Sequence, residues 1–218
     1  MRPLLLALVL AAPAAAQLSI TADASVGPSL TTLGASGTVE ALGVPLPLGD
    51  VEFPTSVGID ARARVEAHGQ TVGARLGVGY LSASDVFDGA SLFRQQGVDV
   101  AFVLASAEVT LRQPVAVGSA GAVAVLGIGP EVRVVLDDDA GPEGLTALLG
   151  DVRESHVAIG ASLGVPFRLG GVRVGPEVRG GYALTPFSDD RVDVLGGAVR
   201  LAGDFRFHHV SFSLTVGA

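Results

Sequence analysis

The segment VGIDARARVEAH, residues 57–68, alternates between apolar and polar side chains over most of its length. Its odd-numbered positions are all apolar, whereas its even-numbered positions from Asp60 to His68 carry charged or polar groups. Successive side chains of a β-strand point to opposite faces, so the alternation predicts a strand with one apolar and one charged face. Gly69-Gln70 follows directly and predicts a tight turn into the next strand.

The same alternation recurs along the rest of the chain and predicts eight strands in total. The seven further segments are 18–26, 71–81, 101–112, 121–136, 152–165, 172–184 and 205–218. In each segment one set of alternate positions is rich in Val, Leu, Ile and Ala, and the other set carries Ser, Thr, Gly and charged residues. Strands with two chemically distinct faces are typical of sheets that separate two environments.

The connections between these segments also alternate, between short and long. The short connections are 69–70, 113–120 and 166–171, and the long ones are 27–56, 82–97, 137–151 and 185–205. Short turns at one end, long loops at the other and strands of about ten residues are typical of outer-membrane barrels. We therefore predict an all-β fold, an eight-stranded antiparallel up-and-down transmembrane β-barrel. The connection 27–56 is long enough to hold an extra hairpin, and 44–48 is its least loop-like part.

The first residues have the pattern of a secretory signal peptide. Arg2 precedes a short apolar run, and small residues at Ala14 and Ala16 suit cleavage before Gln17. The alternative is a membrane anchor, but the run is well short of the roughly 20 residues that a spanning helix needs. We predict a signal peptide over 1–16 and one domain, the barrel, over 17–218.

The composition limits the classes of partner and of stabilising bond. The chain has a net charge of -8, and all 14 of its basic residues are arginine. An acidic balance argues against nucleic acid as a partner. The sequence contains no cysteine, so disulfides cannot stabilise an exported form, and packing or hydrogen bonding must do so.

The pentapeptide GPEVR occurs twice, at 129–133 and at 175–179, each time after a short connection. In both copies Glu and Arg are two residues apart and share one face of a strand. Since proline cannot donate a hydrogen bond to a neighbouring strand, we expect a β-bulge at Pro130 and at Pro176. A dinucleotide-binding loop is excluded, because Val132 stands where that loop requires glycine and no helix pattern follows.

The chain resembles a known family in several features. These are the signal peptide, the alternating strands, GxGPEVR at 127–133, and the turns PVAVG at 114–118 and PFRLG at 166–170. Together they make the mature chain similar to the small outer-membrane β-barrel ("porin family") proteins of Gram-negative-type bacteria. The resemblance implies outer-membrane lipid as the surroundings and the barrel-assembly machinery as a partner during biogenesis. It implies a location in the outer membrane, and we expect a monomer.

The polar faces of the predicted strands carry nearly equal numbers of acidic and basic residues. A closed interior favours such a balance, because an unpaired buried charge costs several kcal/mol. An eight-stranded barrel is only wide enough for side chains to fill. We therefore predict an interior charge network that consists of Asp23, Asp60, Arg62, Arg64, Glu66, Arg75, Glu108, Arg112, Glu131, Arg133, Glu154, His156, Glu177 and Arg179.

Signals for catalysis or metal binding are weak. His209 and Ser211 have the spacing found in lipid A deacylase barrels, where a nucleophile triad acts on the lipid-facing side, but alternation places Ser211 on the inner face. Asp137, Asp139 and Gly141 resemble part of a calcium loop, but the remaining ligand spacing is missing. We predict no catalytic residue, no metal and no cofactor.

Three function classes remain open at this point. The first is a closed barrel that acts structurally or through its long loops, and the second is a narrow channel for small solutes. The third is an outer-membrane lipid-modifying enzyme. A soluble lipocalin-like barrel is a further alternative, and it would require an apolar interior and a polar exterior.

Overall fold

The computed structural model describes residues 18–41, 44–52, 55–86, 98–117, 120–137, 153–186, 191–194 and 199–218. These residues form eleven strands: β1 Ser19–Ala41, β2 Val44–Glu52, β3 Ser56–His68, β4 Val72–Val86, β5 Val98–Val117, β6 Ala120–Asp137, β7 Ser155–Gly164, β8 Phe167–Leu169, β9 Val172–Ala183, β10 Arg191–Val194 and β11 Val199–Gly217. In these segments no helix has the length and apolar character needed to cross a membrane. The predicted signal peptide, 1–16, lies outside the described residues.

Eight of the strands close into a barrel. The order is β1, β3, β4, β5, β6, β7, β9 and β11, and β11 pairs back with β1, so that Val26 lies opposite Leu214. Each pairing around the ring is antiparallel. Closure removes the unpaired strand edges that lipid cannot satisfy. The predicted eight-stranded up-and-down barrel is therefore confirmed.

Three short strands extend the barrel without changing its closure. β2 pairs with β1, and β10 pairs with β11. β8 forms a hairpin with β9 at the short-turn end of the barrel. The connection predicted at 27–56 therefore does contain an extra hairpin, since β1 continues to Ala41 and returns as β2. The long connections at 82–97 and 185–205 are also partly strand.

Strands β1, β4, β5 and β11 are several residues longer than predicted, and the polarity of their two faces reverses near the long loops. On β1 the outward side chains are apolar as far as Leu30, and the next outward one is Thr32, whereas Leu33 and Ala35 point inward and are buried. On β11 the same change places Phe207 inside and His208 outside. Inward and outward side chains continue to alternate beyond the reversal, but there the outward side chains are polar and the inward ones apolar.

The outer face of the barrel is apolar over the height of a membrane. The exposed fractions of Ile20, Leu76 and Phe212 are 71%, 66% and 51%, and other large apolar residues lie around the same band. Between Ile20 and Leu30 strand β1 rises about 25 Å along the barrel axis, if a tilt of about 40° is assumed. This height agrees with the apolar band of about 25 Å that outer-membrane barrels present to lipid. The lipocalin-like alternative is wrong, because its exterior would be polar.

Glycine followed by proline occurs in three barrel strands, and this explains part of the GPEVR repeat. The pairs are 27–28 in β1, 129–130 in β6 and 175–176 in β9. A Cβ atom added to Gly27, Gly129 or Gly175 would collide with a backbone carbonyl oxygen of the adjacent segment, that of Phe212, Ala107 or Val165. Proline offers no N–H to the ladder, and only glycine leaves room for the close approach of the opposing carbonyl.

The bulges predicted at Pro130 and Pro176 are not present. Strand β5 keeps one register on both sides of Pro130, with Ser106 opposite Glu131 and Val109 opposite Ile128, and the two intervening pairs are skipped. The register across Pro176 is also continuous. The ladder omits hydrogen bonds at proline and does not insert a residue, because the preceding glycine lets the strands remain close.

We predict that Gly129→Ala destabilises the barrel, because the new methyl group meets the Ala107 carbonyl, and overpacking of this kind costs about 1–3 kcal/mol. Gly171→Ala is the matched control, since a Cβ atom there has no neighbour within 4 Å. Urea titration of the refolded proteins in vesicles measures both effects. Equal stability of the two variants would contradict the structural role assigned to the Gly-Pro pairs.

Candidate functional site: the charged interior

The inner face of the barrel carries a set of twelve charged side chains, here called the interior lattice. Eleven have 8% or less of their surface exposed, and the side chain of Asp23 is 11% exposed. Six are acidic and six are arginine, so the lattice is electrically neutral although the chain is acidic. Its members are Asp23, Asp60, Glu66, Glu108, Glu131, Glu177, Arg62, Arg64, Arg75, Arg112, Arg133 and Arg179.

Glu131 lies at the centre of the lattice and is fully buried. Its carboxylate accepts hydrogen bonds from Arg62 Nη1 at 2.6 Å and from Arg133 Nε at 2.9 Å. Arg179 Nη2 lies 3.7 Å from the same carboxylate. Arg62 also donates to both oxygens of Asp60, at 2.7 and 3.1 Å. One carboxylate from the first GPEVR copy therefore joins guanidinium groups from three different strands.

The second GPEVR copy connects this centre to the rest of the lattice. Arg179 donates to Glu108, and Glu108 also accepts two hydrogen bonds from Arg75. Arg75 Nη2 in turn donates to Ser162 Oγ at 2.5 Å. Glu177 pairs with Arg64 and lies 3.8 Å from Arg75 Nη1. The repeated sequence thus supplies both of its Glu-Arg pairs to one network.

The lattice extends to the short-turn end of the barrel through two further pairs. Arg64 Nε donates to Asp23 Oδ1 at 2.6 Å. Glu66 accepts hydrogen bonds from Arg112 Nη1 at 2.7 Å and from Thr110 Oγ1 at 2.6 Å. Each carboxylate of the lattice therefore has a guanidinium partner within 4.0 Å, as the burial of charge requires.

Inward-facing glycines provide the space that these long side chains fill. A Cβ atom at Gly127 would lie 2.5 Å from Glu108 Oε2 and 2.6 Å from Arg75 Nη2. A Cβ atom at Gly181 would collide with the Arg133 guanidinium and the His209 ring. The glycines on the polar faces thus leave free the volume that the arginine side chains occupy.

The interior prediction requires one correction, which concerns Glu154. Glu154 is exposed, because it precedes β7 and does not lie within the barrel wall; without it, the predicted excess of acids disappears. His156 is buried as predicted and lies opposite Arg133 in the β6–β7 pairing. Its ring lies edge-on to Phe102, with 5.3 Å between ring centroids, at the boundary of an apolar region.

That apolar region is a layer that closes the interior on the long-loop side of the lattice. It was not predicted, although its residues occupy inner positions of the alternation. Phe102 and Phe207 pack edge to face with 5.4 Å between centroids, and Arg133 Nη1 donates to the Phe207 carbonyl at 2.7 Å. The layer consists of Leu33, Ala35, Leu81, Ala83, Val100, Phe102, Leu104, Ala158, Ala183, Phe205 and Phe207, all at most 6% exposed.

His209 and Ser211 are buried inside the barrel and belong to the surroundings of the lattice, a role that the sequence analysis did not assign to them. Ser211 Oγ donates to Asp60 Oδ2 at 2.9 Å, and His209 Nε2 lies 3.7 Å from the same oxygen. Arg133 Nη2 lies 2.9 Å from His209 Nδ1. The Ser211 hydroxyl is hydrogen-bonded to the Asp60 carboxylate and not to the His209 imidazole. Ser211 and His209 therefore do not form the nucleophile–base pair of a catalytic triad.

Metal binding finds no support in the part of the chain that the structure describes. No group of three or more histidine, aspartate or glutamate side chains there is arranged to hold an ion. Asp139 and Gly141 of the calcium-like sequence lie outside the described residues.

One comparison with the solved structures supports the fold. No protein-family model and no curated protein sequence matches the chain. Outer membrane protein OprG from Pseudomonas aeruginosa superimposes with a TM-score of 0.56 at 11% identity, over 92% of this chain and 97% of OprG. Neisserial surface protein A gives 0.42 at 13% identity over 91% and 97%, and the Escherichia coli outer membrane protease OmpT gives 0.38 at 7% identity over 93% and 96%. The chain has the fold of the outer-membrane β-barrel proteins.

We predict that Glu131→Gln lowers the free energy of unfolding more than Glu66→Gln does. The first change leaves three buried arginines without a shared carboxylate, whereas the second affects one arginine near the end of the barrel. Breaking a buried pair costs about 3–5 kcal/mol. Urea unfolding in vesicles measures the difference, and adding Arg112→Met to Glu66→Gln should restore part of the loss. Equal or negligible effects of the single changes would show that water reaches these groups.

Proposed function

We propose that the protein is an outer-membrane β-barrel with a closed interior, which acts structurally or through contacts at its long-loop end. In this proposal residues 1–16 are a cleaved export signal, and the barrel-assembly machinery inserts the mature chain. The folded protein is a monomer surrounded by outer-membrane lipid.

The observation that carries the proposal is the filling of the barrel along its length. The interior lattice occupies the half near the short turns, and the apolar layer occupies the half near the long loops. Within the part of the chain that the structure describes, a small cavity lies at the short-turn end, where Asp23, Arg64, Glu66 and Arg75 line a space of about 30 Å³, enough for one water molecule. An ion that entered the barrel would have to break several buried pairs and then cross a layer of Phe and Leu side chains.

A lipid-modifying enzyme is disfavoured by the same geometry. His209 and Ser211 face the interior, so lipid in the membrane cannot reach them. The outward positions nearest to them, Val210 and Phe212, are apolar and exposed. We therefore propose a protein that is not an enzyme.

A narrow channel for small solutes is the second candidate. It is favoured by the polar lining of the lattice half, where charged groups of both signs are available to exchange partners. Under this alternative the apolar layer would have to move for ions to pass.

Planar-bilayer recording tests the two candidates. We expect the purified protein to insert without producing discrete current steps, because the lattice and the apolar layer exclude hydrated ions. Insertion is verified on the same sample by migration in a denaturing gel before and after boiling, since a folded barrel resists the detergent until it is heated. Reproducible steps whose ion selectivity changes in Glu131→Gln would contradict the closed barrel and establish the channel.

A further inference from the structure

His209 lies where the interior lattice meets the apolar layer, and both nitrogens of its ring are close to arginine. Nδ1 lies 2.9 Å from Arg133 Nη2, and Nε2 lies 3.4 Å from Arg62 Nη2. The residue is only 3% exposed, so its ring is shielded from bulk water. Because a guanidinium can donate hydrogen bonds but cannot accept them, Nδ1 accepts one from Arg133. The ring is therefore neutral, with its proton on Nε2.

The strands packed against this ring supply charges of both signs. Among the described residues, the charged groups that face it are Asp60 and Arg62 on β3, and Glu131 and Arg133 on β6. His156 on β7 lies opposite Arg133 and is also buried. The two strands that pair with β11 place Thr31 and Gly181 opposite His209, and neither of these titrates. The charge on the ring is thus opposed by two arginines and favoured by two carboxylates.

Arg133 connects the ring to the apolar layer. Its Nε donates to Glu131 at 2.9 Å, its Nη2 donates to His209, and its Nη1 donates to the Phe207 carbonyl at 2.7 Å. The Phe207 ring packs edge to face on Phe102 within the layer. One guanidinium therefore holds a lattice carboxylate, a neutral imidazole and the backbone of the apolar layer at the same time.

Protonation of His209 is incompatible with this arrangement. Nδ1 would then carry a proton directed at Arg133 Nη2, so that two donors would face each other 2.9 Å apart. The electrically neutral lattice would also gain an unpaired positive charge. Asp60 Oδ2 lies 3.7 Å from Nε2, on the other edge of the ring, and offers the imidazolium an acceptor. The charged ring is therefore drawn toward Asp60 and away from Arg133.

We propose that His209 is a proton-operated switch that loosens the apolar layer at acidic pH. With a neutral ring, Arg133 is fixed by His209 and anchors the Phe207 carbonyl. With a charged ring, Arg133 is repelled and Phe207 loses its anchor. The switch rests on the closed barrel proposed above, and it names the condition under which the apolar layer yields.

Urea unfolding in vesicles at pH 8 and pH 5 tests the switch. The parent protein has His68, His156 and His208 replaced by glutamine, so that His209 is its only histidine. The folded barrel holds this ring neutral, whereas the unfolded chain protonates it below a pKa of about 6.5. Its contribution to stability is therefore present above pH 6.5 and lost as the pH falls. We expect the folding equilibrium constant to fall by up to about thirtyfold between pH 8 and pH 5.

Adding His209→Gln to that parent is the matched control. The glutamine side chain offers Arg133 an acceptor but does not titrate, so the dependence on pH over this range should disappear. Migration in a denaturing gel before and after boiling verifies that both proteins are folded. An equal dependence on pH with and without His209 would overturn the switch, whether or not the barrel is closed.

Planar-bilayer recording of the protein with all four histidines measures the loosening of the apolar layer itself. We expect no current steps at pH 7.5, and steps at pH 5 that the single change His209→Gln abolishes. Steps already present at pH 7.5 would contradict the closed barrel. A barrel that stays silent at pH 5, or one that conducts equally at pH 5 with His209→Gln, would overturn the switch and leave the closed barrel at neutral pH in place.

Discussion

Pairing of buried charge is the constraint on which this structure depends. Twelve ionised side chains point into a barrel too narrow for bulk water, and each must find an opposite charge at hydrogen-bonding distance. Arginine meets this demand better than lysine, because its planar group serves two or three acceptors at once, as Arg62 does with Asp60 and Glu131. The absence of lysine from the chain is consistent with this requirement.

The lattice also determines the backbone around it. Large guanidinium groups on one strand require glycine on the strands that face them, and this explains Gly127 beside Arg75 and Gly181 beside Arg133. The GPEVR repeat combines three devices in five residues. Glycine admits the neighbouring carbonyl, proline occupies an outward position without an N–H, and Glu and Arg enter the interior two residues apart. Its two copies meet in space, where Arg179 approaches Glu131.

The barrel and most of the interior charges were predictable, because alternation with period two records which face each side chain occupies. The parts that were missed have physical reasons. Glu154 has the inward phase of β7 but lies before the strand begins, and periodicity does not mark strand ends. The apolar layer was not predicted, because the polar face of β5 was defined by Ser106, Glu108 and Thr110; the available signal was that Phe102 and Leu104 share the phase of Glu108. The pairing of carboxylates with arginines depends on the relative stagger of strands that are not neighbours, as for Arg62 on β3 and Glu131 on β6. A single sequence does not record that stagger.

Thiol labelling tests the central claim most directly, that the barrel has a dry charged interior and a lipid-facing apolar surface. The chain has no cysteine, so single cysteines can be placed at Ser162 inside, at Leu163 on the outer face and at Arg168 beside the short turn. In vesicles, a charged water-soluble reagent should modify only the cysteine at position 168, and a membrane-soluble maleimide should also reach 163. Position 162 should react only after unfolding. Rapid modification of position 162 by the charged reagent in the folded protein would contradict the dry interior, and modification of position 163 by that reagent would contradict the lipid-facing surface.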